Sequence, residues 1–398
     1  MASNGLSDRV AIVGMGCTPF RDHWDKSADD LIVDAVQECL ASVGDGALTT
    51  RDVDAYWVGT QGSGMSGMTL SRPLRMAGKP VTRVENFCAT GSEAFRNACF
   101  AVASGAYDVV MATGVEKLKD SSFSGLTATW PPSDGTEVEW TAPGAFSLLA
   151  PAYADRYEVG AEQLRETLTH IAWKNHRNGA LNERAQFRKE IARAAISGSM
   201  KIAGPLGVMD CSGVADGAAA ALIVRAEDAH RYTDRPIYLK GMAFVSGSGA
   251  GIAAEGYDFT TFPEVVAAAR EAYAQAGVTD PRSEIALAEV HDCFTPTELV
   301  LMEDLGFSQR GEGWRDVLGG VYDRDGEVAI NPDGGLKSFG HPVGATGLRM
   351  LFECFTQLRG EAGERQVDGA RLAVAQNLGG QPGACVAFMA VVGTEEPA

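Results

Sequence analysis

The sequence predicts an α/β protein made of two similar halves with a helical segment inserted between them. Strand-like and helix-like stretches alternate along the chain, which is typical of sheets covered by helices. The same order of elements occurs twice, once before residue 118 and once after residue 256. With 398 residues, the chain is also long enough for two or three lobes.

The first half contains apolar, strand-like runs and stretches with the 3.6-residue apolar period of helices. Strands are predicted in RVAIVGMG (9–16), VDAYWVGT (53–60), VTRVENFC (81–88) and YDVVMATGVE (107–116), and helices over 28–44 and 89–104. Strand character returns in DGAAAALIVRAED, residues 216–228.

The second half repeats this order. Helices are predicted in FPEVVAAAREAYAQAG (262–277), TPTELVLMEDLGF (295–307) and LRMLFECFTQLRG (348–360), and strands in IALAEVHDCF (285–294), ARLAVAQNLGG (370–380) and ACVAFMAVVG (384–393). The turn CATGSEAF of the first half corresponds to HPVGATGLRM of the second. Both contain small residues, as expected where a helix approaches a neighbour closely.

Residues 118–208 do not follow the repeated order. They are first rich in Trp, Pro and polar residues and then become basic and helical, which indicates an insertion. The predicted organisation is therefore a first half of 1–117 with 209–255, an inserted domain of 118–208, and a second half of 256–398.

Composition excludes several classes of function. The net charge of −18 argues against nucleic acid or an anionic membrane as a partner. There is neither an apolar run of membrane-spanning length nor a secretory leader pattern at the start, so a cytoplasmic protein is expected. Eight cysteines without C-x-x-C spacing argue against a disulfide framework and a zinc knuckle, and no metal site is predicted.

One segment has the opposite charge. Between Arg165 and Lys201 stand eight basic and three acidic residues, so this segment is +5 and the remainder is −23. Such a patch is either a solvated helical face or a local site for an anionic ligand.

The motif VGMG after the first strand is only half of a dinucleotide fingerprint, because the third glycine is missing. We expect an ordinary tight turn there rather than a nucleotide site. Motifs of P-loop proteins, zinc proteases and serine hydrolases are also absent from the sequence.

Three short motifs contain residues suited to acyl transfer. Cys88 precedes a helix that starts with small residues, where the helix dipole favours a thiolate, although most cysteines are packing residues. His291 and Cys293 follow an apolar strand in VHDCF, with Asp292 between them on the opposite face. His341 is framed by glycine and proline in SFGHPVGATG.

These motifs are compatible with one site. Cys88 and His341 occupy corresponding turns of the two halves, so pseudo-symmetry brings them together, and a thiol nucleophile needs such a base. The glycine turn NLGGQPG, residues 377–383, offers unobstructed backbone N–H groups to a developing oxyanion.

Together, FCATGSEAF, HDCF, GHPVGATG and the C-terminal glycine turn resemble the thiolase superfamily over essentially the whole chain. HDCF is similar to the sterol carrier protein type of thiolase. Ordinary thiolases have an Asn-Glu-Ala-Phe-like motif there and a second reactive cysteine where this chain has Asn377. In the sterol carrier protein type, the HDCF cysteine takes over that role, which indicates an active enzyme. A fused sterol carrier domain is not expected in this chain.

The resemblance implies a role for each motif. Cys88 accepts the acyl group, and His341 takes its proton. His291 joins His341 at a first oxyanion hole, while the backbone N–H groups of Cys88 and Gly379 form a second. Cys293 moves the proton at the α-carbon of the incoming acyl-CoA. The implied activity is that of an acetyl-CoA C-acyltransferase, which forms or cleaves 3-oxoacyl-CoA.

The resemblance also implies a thiolase fold of five layers, αβαβα, with the inserted domain as a loop domain. The basic segment Arg165–Lys201 would cradle coenzyme A, a substrate and not a permanently bound cofactor. A homodimer or homotetramer is implied as well. The segment 121–149, with Phe123, Trp130, Trp140 and Phe146, is either the lining of the acyl end or a satellite core.

Two other functions remain open at this point. Some thiolase-like proteins are aldolase subunits that cleave side-chain acyl-CoA with an OB-fold companion protein, and these rely on tyrosines. A non-catalytic acyl-CoA-binding protein is the other alternative, and in such a protein Cys88 would be unreactive.

Overall fold

A computed structural model describes residues 5–44, 48–121, 141–250 and 256–397. The first half has strands β1 (Val10–Cys17), β2 (Ala55–Gly59), β3 (Val81–Val84) and β4 (Val109–Glu116), and helices α1 (Ala28–Ala41), α2 (Met68–Ser71) and α3 (Thr90–Ala103). Among these, α1 starts with a capping box in which Ser27 and Asp30 hydrogen-bond reciprocally.

The inserted segment is helical, as predicted. It contains α4 (Ala142–Phe146), α5 (Leu149–Arg156), α6 (Ala161–Ala180) and α7 (Arg193–Ser197), followed by the short strands β5 (Lys201–Ala203) and β6 (Leu206–Gly207). Strand β7 (Gly217–Arg225) then returns to the first half.

The second half completes the chain. Its strands are β8 (Ile237–Ser246), β9 (Leu287–Glu289), β10 (Ala329–Ile330), β11 (Leu372–Gln381) and β12 (Ala384–Gly393). Its helices are α8 (Pro263–Ala276), α9 (Pro281–Glu284), α10 (Thr295–Asp304), α11 (Gly313–Leu318), α12 (Gly335–Phe339) and α13 (Thr346–Leu358).

The sheet topology confirms the duplication. The strand order is β3-β2-β4-β7-β1 in the first half and β10-β9-β11-β12-β8 in the second. Numbered along the chain within each half, both orders read 3-2-4-5-1, with the same parallel and antiparallel neighbours. Only two residue pairs, between β1 and β8, join the two groups of strands.

Because β8 takes the place in the second half that β1 takes in the first, we propose that the halves divide before Ile237 instead of at residue 256. No strand was predicted over residues 237–246, and residues 237–255 were therefore assigned to the first half.

The elements stack in five layers. Helix α1 covers one face of the first strand group, and α8 covers the outer face of the second. Helices α3 and α13 lie between the two groups and pack against each other. A methyl group on Gly91 of α3 would come within 2.9 Å of the carbonyl oxygen of Gly344, so the small residues of both turns allow this close approach, as predicted.

The glycines of VGMG also have a packing role. A side chain on Gly14 or Gly16 would run into α1, at 2.8 Å from the carbonyl oxygen of Cys39 and 2.2 Å from that of Ala35. The motif therefore lies inside β1 and allows a helix to pack onto the strand, so the expected tight turn is wrong. Among the described residues, no helix is sufficiently long and apolar to cross a membrane.

Candidate active site

Cys88 lies in a tight turn between β3 and α3. Phe87, directly before it, has a left-handed backbone with φ of 51°. The Thr90 hydroxyl holds the turn, since it accepts a hydrogen bond from the Asn86 N–H at 2.8 Å and donates one to the Phe87 carbonyl at 2.6 Å. Residues held in such sparsely populated backbone conformations are common at active sites.

His341 follows α12 in the corresponding turn of the second half. Gly340 before it has a φ of 110°, which a residue with a side chain rarely adopts. The His341 backbone N–H donates to the carbonyl of Gly213 at 2.9 Å, and this bond ties the turn to the segment that precedes β7.

The structure brings the predicted residues together. The Cys88 sulfur and one ring nitrogen each of His291 and His341 all lie within 4.8 Å of one another. The two imidazole rings meet edge to face with their centroids 5.3 Å apart. The expected meeting of corresponding turns at one site is therefore confirmed.

The His341 ring has one nitrogen free to act as a base. Its Nδ1 lies 2.7 Å from the hydroxyl oxygen of Thr346. Its Nε2 is buried and has no hydrogen-bond partner among the residues that the structure describes. Burial, with smaller effects of His291 and Arg349, holds the pKa of His341 well below its usual value, so the ring is neutral.

The Cys88 thiol is protonated in the resting state. Burial, and then the charge of Glu116, raise its pKa to about 12, and the residue's own backbone N–H only partly offsets this. The backbone N–H at the helix N-terminus does favour the thiolate, as expected, but burial outweighs it. Removal of the proton requires a base, and His341 is placed to be that base.

His291 and Asn377 belong to the same hydrogen-bonded group. His291 Nδ1 lies 2.7 Å from Asn377 Oδ1, and the Asn377 amide nitrogen donates to the carbonyl of Cys88 at 2.9 Å. Burial lowers the pKa of His291 to about 3. The residue that replaces the second cysteine of ordinary thiolases therefore links the nucleophile's backbone to a site histidine.

Cys293 lies outside the sheet, because β9 ends at Glu289 and does not extend to Phe294 as predicted. It is buried, its sulfur is 3.8 Å from the Thr297 hydroxyl, and its carbonyl accepts the Ser212 N–H at 2.8 Å. Burial, followed by the charge of Cys88, holds the pKa of Cys293 well above its usual value.

Asp292 lies after the end of β9, so the strand alternation that predicted its opposite face does not hold there. It is buried, and its carboxylate accepts the Leu336 and Lys337 N–H groups at 2.6 and 3.2 Å and the Asn175 side-chain amide at 2.7 Å. A methyl group on Gly335 would come within 2.4 Å of this carboxylate. Asp292 thus joins the HDCF motif to the turn that carries His341.

Gly379 lies directly against the nucleophile's backbone. A methyl group on it would be 3.0 Å from the Cys88 nitrogen and 2.4 Å from the carbonyl oxygen of Asn86. Only glycine fits at this distance. The two residues predicted to form the second oxyanion hole are therefore neighbours, and their role as donors stays a prediction.

Sequence reasoning missed Glu116 at the end of β4. Its buried carboxylate accepts the Gln61, Gly62 and Ser63 N–H groups at 2.8, 3.0 and 3.0 Å, together with the Ser63 hydroxyl at 2.7 Å. It therefore fixes the Gly/Ser-rich loop beside the site. The sequence gives no sign of this role, because the Glu116 carboxylate binds backbone groups of residues that are more than fifty positions away along the chain.

Part of the basic segment is used inside the protein. Arg165 binds both oxygens of the buried Asp210, at 2.6 and 2.7 Å. The buried Lys174 pairs with Glu298 at 2.9 Å, and Arg184 pairs with Glu38 at 2.6 Å. Charges in such places need partners, so these three cations are poor candidates for binding coenzyme A.

Arg188 and Lys189 are the better candidates, because both are exposed and neither has an ion pair among the described residues. The two residues before them are bonded to the His341 turn. The Gln186 and Phe187 N–H groups donate to the Phe339 and Ser338 carbonyls, each at 3.0 Å. Arg188 and Lys189 therefore directly follow a segment that is hydrogen-bonded to the His341 turn.

The aromatic segment is described only in part. Phe146 is buried and lies 4.9 Å, centroid to centroid, from Phe294 of the HDCF motif. This contact favours the satellite-core interpretation for Phe146. Phe123, Trp130 and Trp140 lie outside the described residues.

Comparisons with known proteins agree with this architecture. Residues 10–202 match the family model for the thiolase N-terminal domain, and residues 250–390 match that for a thiolase C-terminal domain-like region. The chain is 38% identical to the acetyl-CoA acetyltransferase of Methanothermobacter thermautotrophicus, over 94% of this chain and 97% of that protein.

The chain is also similar to a second curated protein and to a solved structure. Bovine sterol carrier protein 2 is 32% identical over 94% of this chain and 70% of its own length. The solved Ltp2-ChsH2(DUF35) aldolase has the same fold, with a TM-score of 0.83 at 24% identity, over 99% of this chain and 100% of that one. The expected five-layered fold and acyltransferase class are confirmed, and the chain belongs to the thiolase family.

Proposed function

We propose that this protein is an acetyl-CoA C-acyltransferase that forms or cleaves 3-oxoacyl-CoA through an acyl group on Cys88. The observation that carries the proposal is the cluster of the Cys88 sulfur with ring nitrogens of His291 and His341, within 4.8 Å. The named acetyl-CoA acetyltransferase relative, which the chain matches over nearly its full length, supports the choice of reaction.

In the first half-reaction, His341 Nε2 takes the Cys88 proton, and the thiolate attacks the thioester carbonyl. The new S–C bond stores the acyl group, and the bond to coenzyme A breaks. The leaving thiolate takes the Cys293 proton, so Cys293 becomes a thiolate while His341 stays protonated. Backbone N–H groups of Cys88 and Gly379 stabilise the oxyanion.

In the second half-reaction, the Cys293 thiolate takes a proton from the α-carbon of a second acyl-CoA. The resulting carbanion attacks the acyl group on Cys88, and a C–C bond forms as the Cys88 thiolate leaves. His341 returns its proton to Cys88. All three groups are then in their starting states, and the reverse order of steps cleaves 3-oxoacyl-CoA.

Coenzyme A is a substrate in this scheme, and we assign its phosphates to Arg188 and Lys189. Another open feature of the basic segment is a hollow of about 480 Å³ between α6 and α7. Its lining contains two arginines and two glutamates, Arg165, Arg193, Glu162 and Glu166, whose opposite charges make it a poorer site for a polyanion.

A cytoplasmic location and a homodimer or homotetramer complete the proposal. All eight cysteines are free thiols, as is usual in reducing compartments. Strand β3 lies at one edge of the sheet formed by the described residues. A second subunit would cover the unpaired backbone groups of such an edge strand. The mass of the native protein in solution tests the oligomeric state.

A second candidate function is an aldolase subunit with an OB-fold companion, because the fold is similar to that of the Ltp2-ChsH2(DUF35) aldolase. The presence of all four thiolase side chains in the sequence, with Cys88, His291 and His341 clustered, favours the acyltransferase. A companion protein is required only by the aldolase.

Brief mixing with acetyl-CoA or acetoacetyl-CoA, followed by intact-protein mass measurement and peptide mapping, tests the proposal. We expect one acetyl group on Cys88 in the wild type and none in Cys88→Ala. Thioester turnover by Cys88→Ala would remove the nucleophile assignment. Failure of both thioesters to modify the wild type would instead favour the aldolase or the non-catalytic acyl-CoA binder.

A further inference from the structure

We propose that Arg349 is a positioning residue whose guanidinium group joins the end of β9, which leads to His291, to the turn that leads to His341. The inference rests on the proposed function only for its consequence, because His341 is the base in that function. Its evidence is a cluster of three buried ionisable side chains, Arg349, Glu289 and Asp333, to which the reaction scheme assigns no task.

The Arg349 side chain bridges two carboxyl groups with a single nitrogen. Its Nη1 donates to Glu289 Oε2, and to Asp333 Oδ2 at 2.7 Å. All three side chains are fully buried. Glu289 is the last residue of β9, and Asp333 lies in the segment between β10 and α12. The bridge therefore spans the two segments that precede the site histidines.

Two further contacts extend the bridge toward His341. The other oxygen of Asp333 accepts the N–H of Gly335, the first residue of α12, at 2.7 Å. The guanidinium carbon of Arg349 lies 5.2 Å from the ring centroid of Phe339, the last residue of that helix. Helix α12 is therefore held at its start by Asp333 and at its end by Arg349, two residues before His341.

Helix α13 also contacts the His341 ring directly. Thr346, the first residue of α13, hydrogen-bonds to His341 Nδ1 through its hydroxyl. Arg349 follows three residues later, so the two side chains project from the same face of the helix. One helix therefore fixes both the imidazole and the segment that precedes it.

The cluster is better suited to fixing positions than to adding stability. The desolvation of buried ions offsets most of their attraction, and apolar side chains of similar volume often stabilise a fold equally well. Burial, and then the charge of Asp333, also hold the pKa of Glu289 well above its usual value, so this carboxyl group keeps its proton. The hydrogen bonds of Arg349, in contrast, fix the distance and direction between the two segments.

Two matched amide substitutions have opposite expected results. Glu289→Gln keeps an oxygen for Arg349 Nη1, the one donor that this carboxyl group serves among the described residues. Asp333→Asn has one side-chain oxygen for two donors, Arg349 Nη1 and the Gly335 N–H, so one of these bonds is lost. Glu289→Leu removes the other arm of the bridge and changes no charge, because the carboxyl group is protonated.

The rate of Cys88 alkylation by iodoacetamide at neutral pH measures how well His341 is placed, and it needs no acyl-CoA. We expect this rate to fall about tenfold in Asp333→Asn and Glu289→Leu, because a displaced base no longer takes the thiol proton. Glu289→Gln should react like the wild type. Nitrogen-15 NMR of labelled histidines should show changed ring signals of His291 and His341 in the two slowed variants only.

Cys211 is an internal control in the same peptide map. It is a half-buried free thiol whose sulfur bonds to the carbonyl of Gly207. Displacement of His341 leaves its alkylation rate unchanged, whereas general loosening of the fold would raise it. Slow alkylation of Cys88 together with faster alkylation of Cys211 would therefore overturn the proposal.

Two other results would also overturn it. Equal Cys88 rates in Glu289→Gln and Asp333→Asn would mean that the bridge does not place His341. Slowing in Asp333→Asn without slowing in Glu289→Leu would mean that charge is the cause instead of position. If Glu289→Leu does not fold, the contrast between the two amide variants decides.

These outcomes are separate from the fate of the proposed function, because alkylation does not involve acyl transfer. A wild-type protein that no thioester acylates would contradict the acyltransferase. The expected alkylation rates in the same set of variants would still support the task of Arg349.

Discussion

His341 Nδ1 lies 2.7 Å from the hydroxyl oxygen of Thr346, five residues further along the chain at the start of α13. That hydroxyl donates its own proton to the Pro342 carbonyl at 3.1 Å, so it receives the Nδ1 proton of His341. The contact fixes the tautomer whose Nε2 accepts the proton of Cys88.

Thr346→Val removes this oxygen with little change in volume. We expect acetylation of Cys88 to slow by about tenfold to a hundredfold, because the base loses its fixed tautomer. Rapid-mix mass measurement of the acetyl-enzyme gives the rate. Thr356→Val, on the same helix and bonded only to the Phe352 carbonyl, is the control, and equal slowing in both variants would contradict the prediction.

Cys293→Ala separates the two half-reactions. The variant should still be acetylated on Cys88, although more slowly, because its nucleophile and base are intact and coenzyme A can leave as an unprotonated thiolate. Formation of acetoacetyl-CoA should fall by at least about a hundredfold, since no group takes the α-proton. Cys354→Ala, which alters another buried thiol on α13, should react normally. Normal C–C bond formation by Cys293→Ala would exclude Cys293 as the acid/base.

Replacement of both Arg188 and Lys189 by alanine should weaken the binding of coenzyme A thioesters. We expect KM for acetyl-CoA to rise by about tenfold with little change in kcat, because the lost contacts are to phosphates far from the reacting carbon. Acetyl-pantetheine, without those phosphates, should show no such change. Arg270→Ala on the outer helix α8 removes an exposed charge elsewhere and should leave both KM values unchanged.

Zinc ions should inhibit the enzyme, because the Cys88 sulfur and two imidazole nitrogens lie within 4.8 Å of one another. Sulfur and imidazole are preferred zinc ligands, and the metal would displace the thiol proton. A chelator should restore activity, and acetylation of Cys88 before exposure should protect it. Equal zinc affinity of the wild type and Cys88→Ala, measured by calorimetry, would place the inhibition at another site.

Lys337 should make the free energy of unfolding depend on pH in the alkaline range. Burial lowers its pKa from 10.5 to about 8, and its amine lies 3.2 Å from His176 Nε2, with Cys211, Asp210 and Asp292 as the nearest charges. Above pH 8 the folded protein releases this proton while the unfolded chain keeps it up to about 10.5. The free energy of unfolding therefore gains a contribution as pH rises through this range.

Lys337→Met has no such proton to release. Urea unfolding should show the variant more stable than the wild type below pH 8, by on the order of 3 kcal/mol, with the difference fading toward pH 10.5. Lys240→Met, which removes a lysine paired with Asp8, is the comparison. A constant difference across this pH range would mean that Lys337 is not buried in its charged form.

Sequence patterns located most of the fold because its elements are long and strongly apolar, and both β1 and α13 lie where periodicity placed them. The end of β9 was misjudged, since an apolar run gives no sign of where the chain leaves the sheet. At the site, motif residues could be named in advance. The contacts of Asn377 and Glu116 could not, because they join segments far apart in the chain.

The division of the chain into two halves has a consequence for its synthesis. Cys88 belongs to the first half, whereas His291 and His341 belong to the second, and the three residues come together beside the contact of α3 with α13. A nascent first half on the ribosome thus exposes an ordinary thiol with no base beside it. The Cys88 thiol becomes reactive only after the segment that contains His341 has been synthesised and has folded against the first half.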